Sequence, residues 1–221
     1  MISNAITIFL YCKCVFFLGE ILLVIDVETT GLDPKKNSIV SIGAVDFSNP
    51  KRQFYRECRP WNGALIDDGA LKVNGFKREE LLYSKRIPLK DAITDLIEWI
   101  LQSEEQTLAG HNFGSFDSKF IQAAIEMCQL SFRIQSRSVD LHSVCYADHL
   151  RKGILLPLNK NRTNITSDYA FKYVGLPEEP HPHIAITGAK FIAESFSRII
   201  YGKNLLSEFK KYEIPSHLKK K

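Results

Sequence analysis

Two acidic residues, Asp26 and Glu28, stand at the end of an apolar, β-branched stretch over residues 21–27. The stretch lacks polar alternation, which predicts a strand buried on both faces. Side chains two residues apart in a strand share a face, so we expect the two carboxylates to lie side by side. They would repel each other unless protons or cations neutralised them, and Mg²⁺ or Mn²⁺ prefers such oxygen ligands. A solvated strand end is the alternative interpretation of this pair taken alone.

The elements that would position these acids are strands first, then strands alternating with helices. Periodicity and turn residues predict strands over residues 21–27, 39–47, 53–59, 107–110 and 138–141. The same reasoning predicts helices over residues 87–102, 118–129, 142–150, 168–174 and 189–201. This order indicates a mixed α/β sheet that is covered by helices on both faces. The length of 221 residues suits one such domain, because single cores stop growing only beyond about 250–300 residues.

The composition is that of an ordinary globular protein, with 45% hydrophobic and 24% charged residues. These values exclude a disordered or low-complexity chain. The formal net charge of +4 comes from 29 basic and 25 acidic residues, and the surplus lies in residues 203–221. We interpret this segment as a basic C-terminal tail, which is most often only a soluble end. The five cysteines are scattered and form no C-x-x-C pair, which favours free thiols and a cytoplasmic location.

Residues 1–19 form an apolar N-terminal extension of uncertain status. The run over residues 5–18 is interrupted by Lys13 and is shorter than the about 20 residues that a membrane-spanning helix needs. It also lacks the basic leader and the small-residue cleavage site of a signal peptide. We therefore expect no membrane span. Three interpretations stay open: an extra strand or helix packed on the domain, a weak membrane-surface anchor, or sequence that is not part of the natural product.

Three motifs extend the argument beyond the paired acids. The first is DVETTGLDP at residues 26–34, followed by the strand-like IVSIGAVDF. The second is LAGHNFGSFDSKFI at residues 108–121, and the third is HPHIAITGAKFIAESF at residues 181–196. Together and in this order they resemble the motifs of DnaQ-like (DEDD-type) 3′–5′ exonucleases, in the branch that uses a histidine. The resemblance covers residues 20–202, which we interpret as an exonuclease-like domain.

The resemblance implies an RNase H-like fold, in which helices flank a mixed five-stranded sheet. The central strand would carry Asp26 and Glu28, and Asp117 would be the third acid, at the start of the helix after the second motif. These carboxylates would hold two divalent ions, Mg²⁺ or Mn²⁺, against the terminal phosphodiester. His183 would be the catalytic base that accepts the proton of the attacking water. The implied activity is metal-dependent 3′–5′ hydrolysis of terminal phosphodiesters.

The implied partner is the 3′ end of a single-stranded nucleic acid, with DNA and RNA both open. Thr29, Gly31 and Leu32 match the segment that would contact the terminal nucleotide, with Leu32 as an apolar wedge. Asn112 would touch the substrate, and Phe113 would stack on a base. A polymerase acting in trans is a further partner that the resemblance implies, because proofreading is one role of such domains.

One position departs from the family pattern. The third motif normally ends its H-x-x-x-x-D run with a metal-ligand aspartate, and here that position is Gly188. Glu194 would face another side of the helix, which leaves Asp140 and Asp168 as substitutes to consider. We therefore predict an exonuclease weakened by poor binding of the second ion, with a preference for Mn²⁺. The alternative is a catalytically inactive domain that binds nucleic-acid ends.

Overall fold

The computed structural model describes residues 22–83 and 85–219, so the predictions for residues 1–19 lie outside the described residues. Within the described part, six strands form one mixed sheet, in the order β4-β3-β2-β1-β5-β6. The strands are β1 (Leu23–Thr29), β2 (Ile39–Asp46), β3 (Gln53–Arg59), β4 (Ile87–Pro88), β5 (Leu108–Gly110) and β6 (Ser138–Asp140). A separate hairpin consists of β7 (Leu158–Asn159) and β8 (Arg162–Thr163).

Seven α-helices accompany the sheet in the described residues. They are α1 (Asp68–Asn74), α2 (Arg78–Leu81), α3 (Leu89–Leu101), α4 (Asp117–Met127), α5 (Leu141–Lys152), α6 (Ser167–Tyr173) and α7 (Ala185–Tyr201). Two short 3₁₀ helices follow, at Ser207–Phe209 and Ser216–Leu218. Across this described part, none of the helices combines the length and apolar character that crossing a membrane requires.

This architecture confirms the predicted mixed α/β class. The first three strands pair as antiparallel neighbours, whereas β5 runs parallel to β1 and β6 runs parallel to β5. The sheet has six strands where five were expected, because the segment predicted as one helix over residues 87–102 begins as the short strand β4. That strand lies at the edge of the sheet, where Pro88 removes no internal ladder hydrogen bond.

Strand β1 occupies the centre of the sheet and packs on both faces. Leu23, Ile25 and Val27 belong to the core cluster that includes α3 and α4. Val24 belongs to the opposite cluster, which includes α5, α6 and α7. Because side chains alternate along a strand, the even-numbered residues that follow Val24 face the α7 side. The predicted pair of acids therefore emerges on the face that α7 covers.

Helix α7 lies directly against the sheet beside these acids. Gly43 in β2 permits the close approach, since a Cβ at this position would lie 2.2 Å from the backbone of Ala185. The helix begins at Ala185, four residues before the predicted start, so Gly188 belongs to its first turn. The first turn of α7 is thus held against the centre of the sheet.

The C-terminal segment of residues 203–219 is packed on the domain, and the expectation of a soluble end does not hold for it. Leu206 and Phe209 are buried in the core cluster next to α7. Arg198 of α7 donates to the carbonyl oxygens of Phe209 and Tyr212. The lysine-rich C-terminal segment therefore also makes a structural contact with the domain. The domain boundary placed before this segment stays a prediction.

Candidate active site

A cleft of about 400 Å³ opens where β1 ends. It is bordered by the end of β1, by α4 and the loop before it, by α6, and by the first half of α7. Polar and acidic side chains dominate its wall. The lining residues are Asp26, Val27, Glu28, His111, Asn112, Ser115, Phe116, Asp117, Ser167, Phe171, Glu179, His183, Gly188 and Ile192.

Three of the predicted acids meet in this cleft. Asp26 and Glu28 lie on β1 as their spacing predicted, and Asp117 is the first residue of α4. The backbone N–H of Val27 donates to Oδ1 of Asp117 at 3.1 Å, which fastens the start of α4 to the strand. Glu28 and Asp117 are buried, whereas Asp26 is partly accessible. The fold thus brings together acids that stand about ninety residues apart in the chain.

Burial raises the pKa of each of these acids. Desolvation is the main cause for Asp26, whose pKa lies well above its usual range, and the charges of Asp117 and Glu28 add to it. Burial, with the charge of Asp117, raises the pKa of Glu28 to about 7. The pKa of Asp117 also rises to about 7, because burial outweighs its backbone hydrogen bonds. Isolated carboxylates lose their protons at about pH 4. Without cations, the acids of this cluster therefore stay protonated to a higher pH.

His183 lies beside the acids, in the loop before α7. Its backbone N–H donates to the carbonyl oxygen of Val73 at 2.9 Å, which ties this loop to α1. Its ring stacks on the ring of His181, with centroids 4.6 Å apart. Burial and the neighbouring His181 lower the pKa of His183, so its imidazole is neutral near pH 7. A neutral imidazole can accept a proton, as a general base must.

A fourth carboxylate, Glu179, enters the cleft from the loop between α6 and α7. Its side chain is buried, and among the described residues its Oε1 has no hydrogen-bond partner. Burial, together with the charges of Glu28 and Asp168, raises the pKa of Glu179 to about 8. Sequence reasoning missed this residue because it lies just before the third motif. The one signal in the sequence is an acid fixed between two nearby prolines.

Gly188 faces Asp26 directly. A Cβ at this position would lie 2.3 Å from Oδ2 of Asp26 and 3.4 Å from Oε1 of Glu179. The carboxyl of Asp26 thus occupies the space that a side chain at position 188 would need. The third motif therefore reaches the acids, as its resemblance implied: His183 lines the cleft, but position 188 contributes no side chain.

None of the substitutes considered for the missing aspartate is among the residues that line the cleft. Glu194 is fully buried and is paired with Arg198. Asp140 caps α5 by accepting a hydrogen bond from the backbone N–H of His142. Asp168 lies in the first turn of α6 and does not line the cleft. Glu194 and Asp140 are therefore engaged elsewhere, whereas Asp168 acts on Glu179 and His183 through its charge without lining the cleft.

His111 is a second lining residue to which sequence reasoning gave no chemical role. Both of its ring nitrogens are buried, and neither has a hydrogen-bond partner in the part of the chain that the structure describes. Burial lowers its pKa to about 4, although the charge of Asp140 acts in the opposite direction. The ring is therefore neutral and adds no positive charge beside the acids.

The predicted substrate contacts divide into accessible and buried residues. Asn112 is exposed and lines the cleft, and Leu32 is 81% exposed, as an apolar wedge requires. Thr29, the last residue of β1, and Gly31, in the turn that follows, are both buried, and the Thr29 hydroxyl donates to the Gly31 carbonyl oxygen at 2.6 Å. Phe113 is fully buried in the hydrophobic core. Its ring offers no surface to a base, which corrects the prediction that it stacks on one.

The oxygen donors of the cleft fit divalent cations. Four carboxylates line it, and one oxygen of Glu179 lacks any partner. Mg²⁺ and Mn²⁺ prefer oxygen-rich, anionic surroundings of this kind. In the part of the chain that the structure describes, no three such side chains are already close enough to hold a cation by themselves. Water and substrate oxygens would complete the coordination, as Mg²⁺ readily allows.

The central strand of this mixed sheet ends in a cleft lined by four carboxylates, and enzymes that act on phosphodiesters with two metal ions hold those ions with oxygen ligands of this kind. The RNase T family model, described as exonuclease, matches residues 23–196 of the chain. The protein therefore belongs to this exonuclease family, as its three motifs indicated. Enzymes of this family generally use divalent metal ions.

Two curated relatives illustrate the match. Ribonuclease T of Haemophilus influenzae is 29% identical over 123 residues, which are 50% of this chain and 53% of that protein. The 3′–5′ DNA exonuclease Cap18 of Escherichia coli is 28% identical over 197 residues, which are 88% of this chain and 97% of that protein. The chain thus spans about half the length of the ribonuclease T relatives and nearly all of Cap18.

Solved structures of exonucleases share the fold. Exonuclease I of Escherichia coli, in complex with a dT13 oligonucleotide, superposes with a TM-score of 0.63 at 16% identity, over 80% of this chain and 40% of that chain. The cell-death related nuclease CRN-4 superposes with a TM-score of 0.64 at 16% identity, over 83% of this chain and 64% of that chain. These likenesses confirm the predicted RNase H-like fold class.

Proposed function

We propose that the protein is a metal-dependent 3′–5′ exonuclease that removes nucleotides from the 3′ end of a single-stranded nucleic acid. The observation that carries the proposal is the meeting of Asp26, Glu28 and Asp117 in one cleft, with His183 beside them. Membership of the exonuclease family supports it. Both DNA and RNA are candidate substrates, because the relatives are named as a DNA exonuclease and as ribonucleases.

The carboxylates of Asp26, Glu28 and Asp117 would hold the cations, and we propose Mg²⁺ or Mn²⁺ as the ions. Such cations, when bound, neutralise charge on the scissile phosphate and make the attacking water more acidic. The chain itself supplies the positions of the ligands. Strand geometry keeps two acids on one face of β1, and the N–H of Val27 holds one oxygen of the third. Cation binding is favoured because it relieves the repulsion among desolvated carboxylates.

His183 would take the proton from the attacking water, since its lowered pKa keeps the imidazole neutral near pH 7. We expect His183→Ala to reduce hydrolysis about 10²- to 10⁴-fold, the usual contribution of a general base. Mn²⁺ binding, which is measured as a rise in melting temperature, should persist in this variant. Loss of Mn²⁺ binding together with hydrolysis would instead assign His183 to the cation site.

The exposed Leu32 and Asn112 would meet the terminal nucleotide at the rim of the cleft. The buried Thr29 and Gly31 would contribute through the backbone of the turn after β1. A polymerase acting in trans stays a prediction, and so does a cytoplasmic location. The free thiols of Cys58, Cys128 and Cys145 agree with a reducing compartment.

The direct test is the degradation of 5′-labelled single- and double-stranded DNA and RNA with Mg²⁺, with Mn²⁺ or with EDTA. We expect single strands to shorten progressively from the 3′ end, and only in the presence of a divalent cation. Asp117→Asn is the matched inactive control, because an amide oxygen can still accept from the N–H of Val27 and preserves the fold. The pattern of products also reports the sugar preference.

Two results would contradict the proposal. Equal degradation by the wild type and Asp117→Asn would assign the activity to a contaminant. Tight binding of 3′ ends without shortening, in Mg²⁺ and in Mn²⁺, would favour the inactive end-binding domain.

A further inference from the structure

The third motif lacks an acid at Gly188, yet the cleft contains a carboxylate that no motif assigns. Glu179 lines the same cleft as Asp26. The point where a Cβ of residue 188 would lie is 2.3 Å from Oδ2 of Asp26 and 3.4 Å from Oε1 of Glu179. Oxygens from the strand and from the loop therefore border one small space above the first turn of α7.

Within residues 22–83 and 85–219, no structural partner accounts for the burial of Glu179. Its side chain is 7% exposed, its Oε1 has no hydrogen-bond partner, and its Oε2 lies 3.9 Å from Nδ1 of His183, beyond hydrogen-bond length. The buried acid Asp148 is a contrast within the same domain, because three side chains donate to it: Arg151, Lys152 and Tyr173. A buried carboxylate that lacks such donors is unfavourable unless something else compensates it.

The loop holds Glu179 in a restricted conformation. The residue precedes Pro180, and a residue before proline is confined to extended backbone. Before it, Leu176 is buried in the core, and after it the backbone N–H of His183 bonds to Val73. Both ends of the loop are thus anchored, so the carboxylate stays directed into the cleft.

We propose that Glu179 is the fourth carboxylate of the cation site, supplied by the loop before α7 in place of an acid at position 188. Its ligand is a hard divalent cation, Mg²⁺ or Mn²⁺, held jointly with Asp26. The catalytic meaning of this inference rests on the proposed nuclease function. The lack of a side chain at Gly188 then leaves room for the carboxyl of Asp26, because any side chain there would push Asp26 out of the space that it shares with Glu179.

The test compares Mn²⁺ binding by the full chain and by two variants, after EDTA has removed bound metal. Glu179→Gln keeps the size of the side chain and removes its charge. Glu178→Gln is the matched control, because Glu178 is the adjacent glutamate and is exposed. Titration calorimetry gives affinity and stoichiometry, and thermal melting gives the Mn²⁺-dependent stabilisation. We expect Glu179→Gln to weaken Mn²⁺ binding on the order of 10–100-fold. Glu178→Gln should bind as the wild type does.

Equal Mn²⁺ affinity in the wild type and Glu179→Gln would overturn the inference, and so would a wild type that does not respond to Mn²⁺. Circular dichroism checks folding. If Glu179→Gln does not fold, Glu179→Asp, which withdraws the carboxylate by one methylene, takes its place with the same criterion.

Parallel hydrolysis assays separate this inference from the nuclease function. A Glu179-dependent Mn²⁺ site in a chain that shortens no strand would support the inference and refute the nuclease. An active nuclease whose Mn²⁺ affinity is the same with and without Glu179 would keep the nuclease and reject the inference.

Discussion

The two halves of α7 bury acids in opposite ways. In the second half, Glu194 and Arg198 are both fully buried and are joined by a 2.8 Å bond from Nε to Oε1. In the first half, Gly188 lies against the carboxyl of Asp26, with Glu179 close by. Among the described residues, no lysine or arginine compensates these two acids. One helix therefore carries a neutralised charge at one end and faces unneutralised charges at the other.

The neutralised end is saturated with hydrogen bonds. The Arg198 guanidinium also donates to the side chain of Asn204 and to backbone carbonyl oxygens of Val174, Phe209 and Tyr212. The second oxygen of Glu194 accepts from the backbone N–H groups of Leu205 and Leu206. Because every partner belongs to the protein, these charges have a structural role and fasten the C-terminal segment to the helix.

The acids beside the first half of α7 instead have unused hydrogen-bond acceptor capacity. Its acids accept few hydrogen bonds, and their repulsion is relieved only by protons or by cations from outside. Uncompensated acids of this kind cluster at functional sites in proteins. The comparison teaches that compensation within the chain distinguishes structural buried charge from functional buried charge, even on a single helix.

The largest expected effect on stability comes from removing Arg198 from the buried ion pair in the second half of α7. Arg198→Met should lower the free energy of unfolding by about 3–5 kcal/mol, because it leaves the Glu194 carboxylate buried without its partner. Arg78→Met is the matched control, since Arg78 pairs with Asp68 at 2.8 Å on the surface and such pairs contribute only about 0–1 kcal/mol. Urea denaturation measures both. An Arg198 variant as stable as the Arg78 variant would show that the buried pair does not hold the segment.

The next effect is a pH dependence of the metal-free protein. The folded-state pKa values of Glu28 and Asp117 are about 7, and that of Glu179 is about 8. Each lies above its unfolded value, so the stability conferred by the protonated forms is complete below about pH 4 and is lost as pH rises toward 8. We expect a loss on the order of 2–4 kcal/mol between pH 5 and 8 in EDTA.

Thermal melting across this range measures that dependence, and Mn²⁺ should remove most of it. Asp148 provides the internal contrast. Burial alone would raise its pKa, but hydrogen bonds from Lys152, Tyr173 and Arg151 lower it. Its contribution is therefore present at neutral pH and is lost as pH falls through its folded value. A metal-free protein equally stable at pH 5 and pH 8 would contradict the description of the cleft acids as unneutralised.

Local sequence signals predicted the five longer strands of the sheet, namely β1, β2, β3, β5 and β6, together with the motif acids, but not the two-residue strands β4, β7 and β8. The apolar stretch before Asp26 fixed the central strand, and the two-residue spacing to Glu28 placed both acids on one face. Asp117 and His183 could be located because the resemblance carries their motifs. Such signals fail where the meaning of a residue depends on the rest of the fold. Glu179 becomes a candidate ligand only when α7 brings Gly188 beside it.

The missed parts of the fold have similar causes. Helices α1 and α2 have seven and four residues, which is too short for an apolar period to emerge. The C-terminal segment was interpreted as a tail because its lysines dominate its composition. The burial of Leu206 and Phe209 depends on a groove beside α7 that no local pattern in the segment encodes.

A third effect should have the opposite sign to that of Arg198→Met. Glu28→Gln removes one unneutralised charge, so we expect the metal-free protein at pH 8 to gain on the order of 1–3 kcal/mol in free energy of unfolding. The same change should weaken the stabilisation by Mn²⁺ and reduce hydrolysis. Glu178→Gln, which alters an exposed glutamate, is the control in both measurements. A loss of metal-free stability in Glu28→Gln would mean that the Glu28 carboxylate is compensated within the chain.

The smallest effect concerns Gly188 itself. Alanine in a helix interior is favoured over glycine by about 1 kcal/mol. Gly69 lies in the first turn of α1, as Gly188 does in α7, so Gly69→Ala should realise part of this gain, because no atom of the described residues lies within 4 Å of the new Cβ. In Gly188→Ala the new Cβ would lie 2.3 Å from Oδ2 of Asp26, so the carboxyl must turn away. We expect little net change in stability, measured by urea denaturation, but weaker Mn²⁺ binding by calorimetry.

Gly69→Ala should leave Mn²⁺ binding unchanged. If Gly188→Ala gained as much stability as Gly69→Ala and also bound Mn²⁺ normally, the carboxyl of Asp26 would not fill the space beside the helix. The first half of α7 would then be an ordinary packed surface, and the missing acid at position 188 would have no replacement there. A gain in stability equal to that of Gly69→Ala, with impaired Mn²⁺ binding, would have another meaning. The carboxyl of Asp26 would then move aside at little cost in free energy but could not bind the cation from its new position.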